Sequence, residues 1–239
     1  MGLVRLGFTV ALTFTGLLAV TFFIGRVVPV DPVLAAVGDR APMEVYEQVR
    51  QELGLHLPLW QQFWHYLQDV LQGDLGHSVL TANPVLDDIQ RGFPATLELA
   101  TAATCLGVAL GVPLGVVAAV HRGGLVDHAI RILGLVGYSV PVFWLGLMGL
   151  WVFYAFLGWV PGPGRLDVVY SYTFEPITGV LLLDSLLRGD GAVFVDALHH
   201  LVLPATILGY FSLAYISRMT RSLMIEELQR EYVTVARLK

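Results

Sequence analysis

Long apolar stretches alternate with shorter polar segments along this chain. Four of the apolar stretches reach the roughly 20 residues that a helix needs to cross a lipid bilayer. They comprise residues 9–28, 95–120, 130–159 and 198–217. Pro113, Pro141 and Pro204 lie inside the last three stretches and predict kinks there, which neighbouring helices can accommodate. The pattern predicts an all-α integral membrane protein with four transmembrane helices.

The segments between these stretches contain shorter helical patterns. In residues 29–94, Val45, Val49 and Leu53 recur at helical spacing before Gly54, a plausible C-terminal cap, and residues 59–71 gather aromatic side chains on one face. That second helix either lies at the membrane surface or packs on its own domain. The segment at 160–197 carries an apolar run at 178–187 that is too short to span, so a re-entrant or surface helix is expected.

Basic residues mark the sides of the membrane. Arg122 and Arg131 flank the turn between the second and third stretches, and the tail at 218–239 carries five basic residues. Residues 29–94 and the segment after the third stretch are rich in acidic residues instead. Short loops with many lysines and arginines stay in the cytoplasm, so the N-terminus and the tail are predicted to be cytoplasmic. The resulting division is 1–28 with the first span, 29–94 outside, and a core at 95–239.

Composition agrees with a membrane protein and excludes other classes. The chain has 239 residues, is 56% hydrophobic and 14% charged, and carries a net charge of −5. Nucleic-acid binding is not expected, because it requires a basic surface. Cys105 is the single cysteine, so neither an intramolecular disulfide nor a cysteine metal site can form. The first apolar stretch lacks a small-residue cleavage site and is interpreted as a retained span rather than a cleaved signal.

The tail after the fourth stretch has an amphipathic pattern. Met224, Leu228 and Tyr232 recur at i, i+4 and i+8, while charged residues occupy the other faces. We therefore expect the fourth span to continue as a cytoplasmic helix that packs on a partner. The alternative is that the basic residues only anchor the span at anionic headgroups.

Short motifs follow one another in a fixed order over nearly the whole chain. They are Leu53-Gly-Leu-His-Leu-Pro58, Gly73-Asp-Leu-Gly76, Pro94-Ala-Thr-Leu-Glu-Leu-Ala100, Pro161-Gly-Pro-Gly-Arg165, His199-His-Leu-Val-Leu-Pro204 and, in the tail, Glu231-Tyr232-Val233, Ala236-Arg237 and Lys239. In this series the chain resembles permease subunits of the bacterial dipeptide/oligopeptide ABC importer family, and dipeptide permeases in particular.

The resemblance implies a type I ABC importer permease fold, with four of six expected spans present and the coupling loop incomplete at Lys239. It implies a location in the bacterial inner membrane and several partners: a second homologous permease subunit, two ATP-binding subunits, an external solute-binding protein and a peptide substrate. ATP hydrolysis is expected in the partners, and the chain itself is expected to be neither an enzyme nor a cofactor or metal protein. The residues that match the family's ATPase-coupling pattern are Glu231, Tyr232, Ala236, Arg237 and Lys239.

Three residues are candidates for the translocation path: Glu98, Ser139 and Pro141. A carboxylate near the end of a span suggests a functional site because its charge is costly in hydrocarbon, although Glu98 can also reach the interface. Ser139 with His199 or His200 would suit an intramembrane serine protease, but its hydroxyl can equally satisfy backbone freed at Pro141. Further alternatives are a nickel- or glutathione-type importer permease and a non-transporting membrane scaffold.

Overall fold

The computed structural model describes residues 2–27, 32–38, 41–78, 80–81 and 83–233. Within these residues all regular structure is helical apart from one isolated bridge between His77 and Pro84. The helices are α1 (Gly2–Val27), α2 (Pro32–Val37), α3 (Met43–Glu52), α4 (Leu59–Leu71), α5 (Val85–Val120), α6 (Leu125–Ser139), α7 (Val142–Gly149), α8 (Val168–Thr173), α9 (Leu181–Arg188) and α10 (Gly191–Leu228). A π-helical segment, Leu150–Phe156, continues α7. The prediction of an all-α membrane fold is confirmed.

Among the described residues, three helices are long and apolar enough to cross a membrane: α1, over Val4–Gly25, and the whole of α5 and α10. A fourth candidate is broken, because α6 meets α7 and its π-helical continuation at an angle of 98°. The kink predicted at Pro141 is confirmed, and it is a complete break of the helix rather than a mild bend. Val140 is extended, with φ −100° and ψ 127°, since the ring of Pro141 crowds a helical conformation in the residue before it. By contrast, α5 and α10 remain helical through Pro113 and Pro204.

The chain folds into two compact units, Met1–Gln90 and Arg91–Lys239. In the first unit, α3 and α4 confirm the two short helices predicted from the sequence. Gly54 follows α3 with a positive φ of 64°, and the next N–H, from Leu55, bonds the Arg50 carbonyl at 3.0 Å. The aromatic face of α4 packs on α1, where the rings of Phe63 and Tyr66 lie 5.3 and 5.7 Å from that of Phe22.

In the second unit, α5 and α10 run parallel and touch through small residues. The buried positions of α5 include Ala103, Gly107, Gly111 and Gly115, which recur every four residues along one face. An added Cβ at Gly107 would lie 2.4 Å from Cβ of Ser212, and one at Gly115 would lie 2.6 Å from the Ser217 carbonyl oxygen. Lipid tails give helices no hydrophobic reason to associate, so close backbone approach through small residues supplies the packing energy instead.

This contact predicts a position-dependent effect of adding one methyl group to α5. Gly107→Ala and Gly115→Ala should each lower stability by about 1–3 kcal/mol, because the new methyl group meets fixed atoms of α10. The loss can be measured as a lower midpoint of unfolding for the detergent-solubilised protein. Gly92→Ala is the matched control in the same helix, since a Cβ there meets nothing within 4 Å. Equal midpoints for all three variants would contradict this account of the α5–α10 contact.

Candidate functional site

The residues predicted to couple to a partner follow α10 in the sequence, and the structure describes two of them. Glu231 and Tyr232 are described, whereas Ala236, Arg237 and Lys239 fall outside the described residues. The predicted continuous helix is wrong here: α10 ends at Leu228, a turn follows at 229–230, and residues 231–233 are helical again. The Val233 N–H bonds the Arg230 carbonyl at 3.0 Å across the start of this second helical piece. Tyr232 therefore does not extend the face of Met224 and Leu228.

Charged side chains surround this turn and bond to one another. The Arg230 guanidinium lies 3.1 Å from the Glu227 carboxylate and 3.6 Å from that of Glu226. The Tyr232 hydroxyl donates to Glu227 at 2.7 Å, and this hydrogen bond to a carboxylate raises the pKa of the phenol. All four side chains are exposed, so each pair contributes little to stability. They leave a charged, accessible surface at the end of α10.

About two turns before that end, a buried ion pair joins α10 to the start of α6. Arg221 donates through Nε to Oδ1 of Asp127 at 2.6 Å and through a terminal nitrogen to Oδ2 at 2.8 Å. Oδ2 also accepts the Gly123 N–H at 3.0 Å, which ties in the turn between α5 and α6. The Asp127 side chain is only 1% exposed. Sequence reasoning missed this pair, because it treated Arg221 only as one of several basic residues and did not single out Asp127.

At the other end of α10, Glu98 is part of a second polar network. Its Oε2 accepts a hydrogen bond from Arg165 at 2.8 Å, and its Oε1 accepts the backbone N–H of Leu182 at 2.7 Å. Arg165 also donates to the Gly179 carbonyl at 2.8 Å. The Glu98 side chain is 8% exposed, and both of its oxygens are engaged. Glu98 therefore holds the segment around 165–182 against α5, and lining a path remains a prediction for it.

Asp184, in α9, shapes the turn that meets Arg165. It is fully buried and accepts the backbone N–H groups of Ile177, Thr178 and Gly179 together with the Thr178 hydroxyl, at 2.7–3.1 Å. Burial alone would raise the pKa of this carboxyl, but the hydrogen bonds from Thr178, Gly179 and Ile177 outweigh it and hold the pKa below its usual range. Sequence reasoning did not find this role, because Asp184 stands inside an apolar run.

The remaining candidates lie at the break between α6 and α7. The Ser139 hydroxyl donates to the Leu135 carbonyl at 2.9 Å, and Pro141 is exposed at the start of α7. The two histidines bond elsewhere: His199 Nε2 lies 3.0 Å from the Trp159 carbonyl oxygen, and His200 Nδ1 lies 2.9 Å from that of Asp196. Among the described residues, Ser139 thus has no histidine partner, and the geometry gives no support to a serine protease.

Comparison with known proteins supports the ordered motifs. Residues 2–100 match the model for the N-terminal part of a binding-protein-dependent transport system membrane component. Residues 111–239 match the model for a binding-protein-dependent transport system inner membrane component. Together the two models match residues 2–239 apart from residues 101–110.

Curated relatives agree with the family models. The chain is 44% identical over 228 residues to the probable D,D-dipeptide transport system permease protein DdpB of Escherichia coli (strain K12), covering 95% of this chain and 66% of that protein. It is 43% identical over 236 residues to the di/tripeptide transport system permease protein DppB of Pseudomonas aeruginosa, covering 98% and 69%. Against the dipeptide transport system permease protein DppB of Escherichia coli (strain K12), the identity is 41%, with 98% and 70% covered.

The chain therefore spans about two thirds of the length of these relatives. The resemblance read from its motifs is confirmed, and the apolar helices agree with a multi-pass protein. This chain belongs to the family of binding-protein-dependent transport system inner membrane components.

Proposed function

We propose that this chain is the permease subunit of an ATP-driven importer of dipeptides or short peptides. It pairs with a second homologous permease subunit to enclose a translocation path, receives peptide from an external solute-binding protein, and couples to two ATP-binding subunits through residues 231–239. Its N-terminus and tail face the cytoplasm. The peptide substrate is supported by the names of its relatives, which are dipeptide and di/tripeptide permeases.

The observation that carries the coupling role is the continuity of α10. Its 38 residues form one helix about 57 Å long, which exceeds the roughly 30 Å hydrocarbon thickness of a bilayer. Near one end, His199 of α10 bonds to the Trp159 carbonyl, and the other end leads into the charged turn before Glu231. A rigid helix that passes through the membrane can carry a displacement from one side to the other.

The buried ion pair extends this movement to a second helix. Arg221 donates two hydrogen bonds to Asp127. A displacement of residues 231–239 would therefore move the start of α6 together with α10. The far end of α6 is the break at Val140, next to Ser139 and Pro141. We place these two residues on the path, where two orientations of α6 and α7 would expose it alternately to either side.

The proposed orientation predicts which side of the membrane each segment faces. In a Cys105→Ser background, Gln51→Cys should react with a membrane-impermeant maleimide in intact cells. Leu125→Cys, at a position that is 90% exposed, should react only after the cells are opened. Gel-shift labelling before and after permeabilisation measures both. Labelling of the Leu125→Cys variant in intact cells would contradict the proposed topology.

Ala236 tests the coupling surface directly. If it faces a groove of the ATP-binding subunit, Ala236→Asp adds bulk and an unpaired charge to a packed interface, and uptake of labelled dipeptide should fall at least about tenfold. The membrane level of the assembled transporter should not change. Ala236→Ser, which adds a single oxygen, is the matched control. Full uptake by the Asp variant would place the docking contact elsewhere.

Asp127 tests the transfer of movement from α10 to α6. Asp127→Asn leaves Arg221 without its counter-charge in a part-buried site, a change that costs about 3–5 kcal/mol in buried pairs. We expect dipeptide uptake per ATP hydrolysed to fall about tenfold in the assembled transporter. Combining Asp127→Arg with Arg221→Asp should restore part of the lost uptake per ATP hydrolysed, because the ion pair can form again in reverse. Arg122→Gln removes a nearby exposed charge and serves as the control. An unchanged ratio in Asp127→Asn would assign the pair no part in coupling.

A further inference from the structure

A groove of about 550 Å³ lies between α6 and α10, toward the end that carries the charged tail. We call it the inner groove, and its lining includes His128, Arg131, Leu135, Tyr138, Ala214 and Arg218. Within the described residues, no aspartate or glutamate lines it. Asp127, beside it, is already bound to Arg221. The inner groove therefore presents more positive charge, from three arginines, than the single neighbouring carboxylate of Asp127 offsets.

Two arginines supply most of that charge. The Arg218 guanidinium stacks on the Tyr138 ring, with its central carbon 4.6 Å from the ring centroid, and one nitrogen donates to the Tyr138 hydroxyl at 3.3 Å. This contact fixes the side chain but uses few of its five N–H donors. In the described part of the chain, Arg131 makes no hydrogen bond or close ion pair, although its charge interacts at longer range with the Asp127 carboxylate. Both guanidinium groups can still bind an anion.

Both arginines belong to the ends of apolar stretches, and the Arg218 side chain extends along the groove to Tyr138. Arg218 directly follows the apolar stretch at 198–217, and Arg131 is the second residue of the stretch at 130–159. These arginines are thus expected at the boundary between hydrocarbon and headgroups. Leu135, about 6 Å farther along α6, and Ala214, about one turn farther along α10, face the part of the groove inside the membrane. The groove therefore combines cationic side chains, including the Arg218 guanidinium held at Tyr138, with the neighbouring apolar surface of Leu135 and Ala214.

This distribution matches one class of ligand. We propose that the inner groove binds an anionic phospholipid of the cytoplasmic leaflet, with its phosphate between Arg131 and Arg218 and an acyl chain against Leu135 and Ala214. Guanidinium groups suit phosphate oxygens because they offer paired donors, and basic pockets between membrane helices on the cytoplasmic side are suited to anionic headgroups. A free dipeptide, polar at both ends, would leave the apolar half unused. Only the choice of leaflet rests on the orientation proposed above.

Native mass spectrometry of the purified chain in neutral detergent tests the proposal, with phosphatidylglycerol and phosphatidylcholine of identical acyl chains as probes. We expect the wild type to retain one phosphatidylglycerol about tenfold more tightly than phosphatidylcholine. Arg131→Gln combined with Arg218→Gln should abolish this preference. Arg122→Gln, which removes a basic residue outside the inner groove, should keep it. Equal retention of both lipids by the wild type, or the same loss in the control, would overturn the proposal.

Further arms separate the lipid from other occupants. Arg131→Lys combined with Arg218→Lys should retain most of the preference if the protein remains folded, since lysine also binds phosphate. Inorganic phosphate or a soluble dipeptide at millimolar concentration should not displace the bound lipid, because neither fills the apolar half. In the assembled transporter, a photoreactive phosphatidylglycerol should label peptides containing residues 131–138. Displacement of the lipid by either soluble competitor would contradict the assignment. So would photolabelling found only in a partner subunit and not in peptides containing residues 131–138.

Discussion

The close approach of α5 and α10 is the contact on which the rest of the second unit depends. Gly107, Gly111 and Gly115 bring the backbone of α5 against Ser212, Ile216 and Ser217 of α10. In hydrocarbon this approach has to be stabilised by van der Waals contact, because no water is released when the helices meet. Any side chain larger than hydrogen on these glycines would separate the two longest helices. Their separation would also shift every residue that α10 presents to α6, α7 and α9.

Polar contacts near the two ends of α10 then orient the shorter elements around it. Near the charged tail, Asp127 and Arg221 connect the start of α6 to α10. Toward the other end, Glu98 connects α5 to Arg165 and Leu182, and Asp184 sets the turn that Arg165 meets. Each carboxylate is almost fully buried and has its oxygens occupied, as required where an unpaired charge would be costly. Such contacts stabilise less than their number suggests, but they specify which helices lie together.

Between these polar ends, the broken span departs from a regular α-helix at two points. The ring of Pro141 prevents Val140 from being helical, and the π-helical segment after α7 departs from regular α-helical geometry again. Backbone irregularity at membrane depth is tolerated where protein or a cavity surrounds it. The inner groove lies along α6 on the charged side of the break. Changes in the angle between α6 and α7 would therefore alter surfaces that one continuous helix would keep fixed.

The sequence by itself determined the features that depend on local patterns. Hydropathy located the apolar stretches, helical spacing located α3 and α4, and Gly54 marked the end of α3 because a positive φ suits glycine. The linear order of short motifs was sufficient to identify the family, since such motifs require no knowledge of contacts. Pro141 predicted a kink in the third stretch, although its position in the sequence could not predict that the bend is 98°.

Only the tertiary structure decided which distant residues meet. Glu98 reaches partners 67 and 84 residues away, and Asp127 reaches one 94 residues away. Hydrophobic periodicity reports which face of a helix is apolar, but it does not report the register in which two helices pack. For this reason Glu98 suggested only a functional carboxylate, Asp127 and Asp184 went unnoticed, and the tail was expected to remain helical past Leu228. Their roles follow from the packing of α10 against its neighbours, which no single segment encodes.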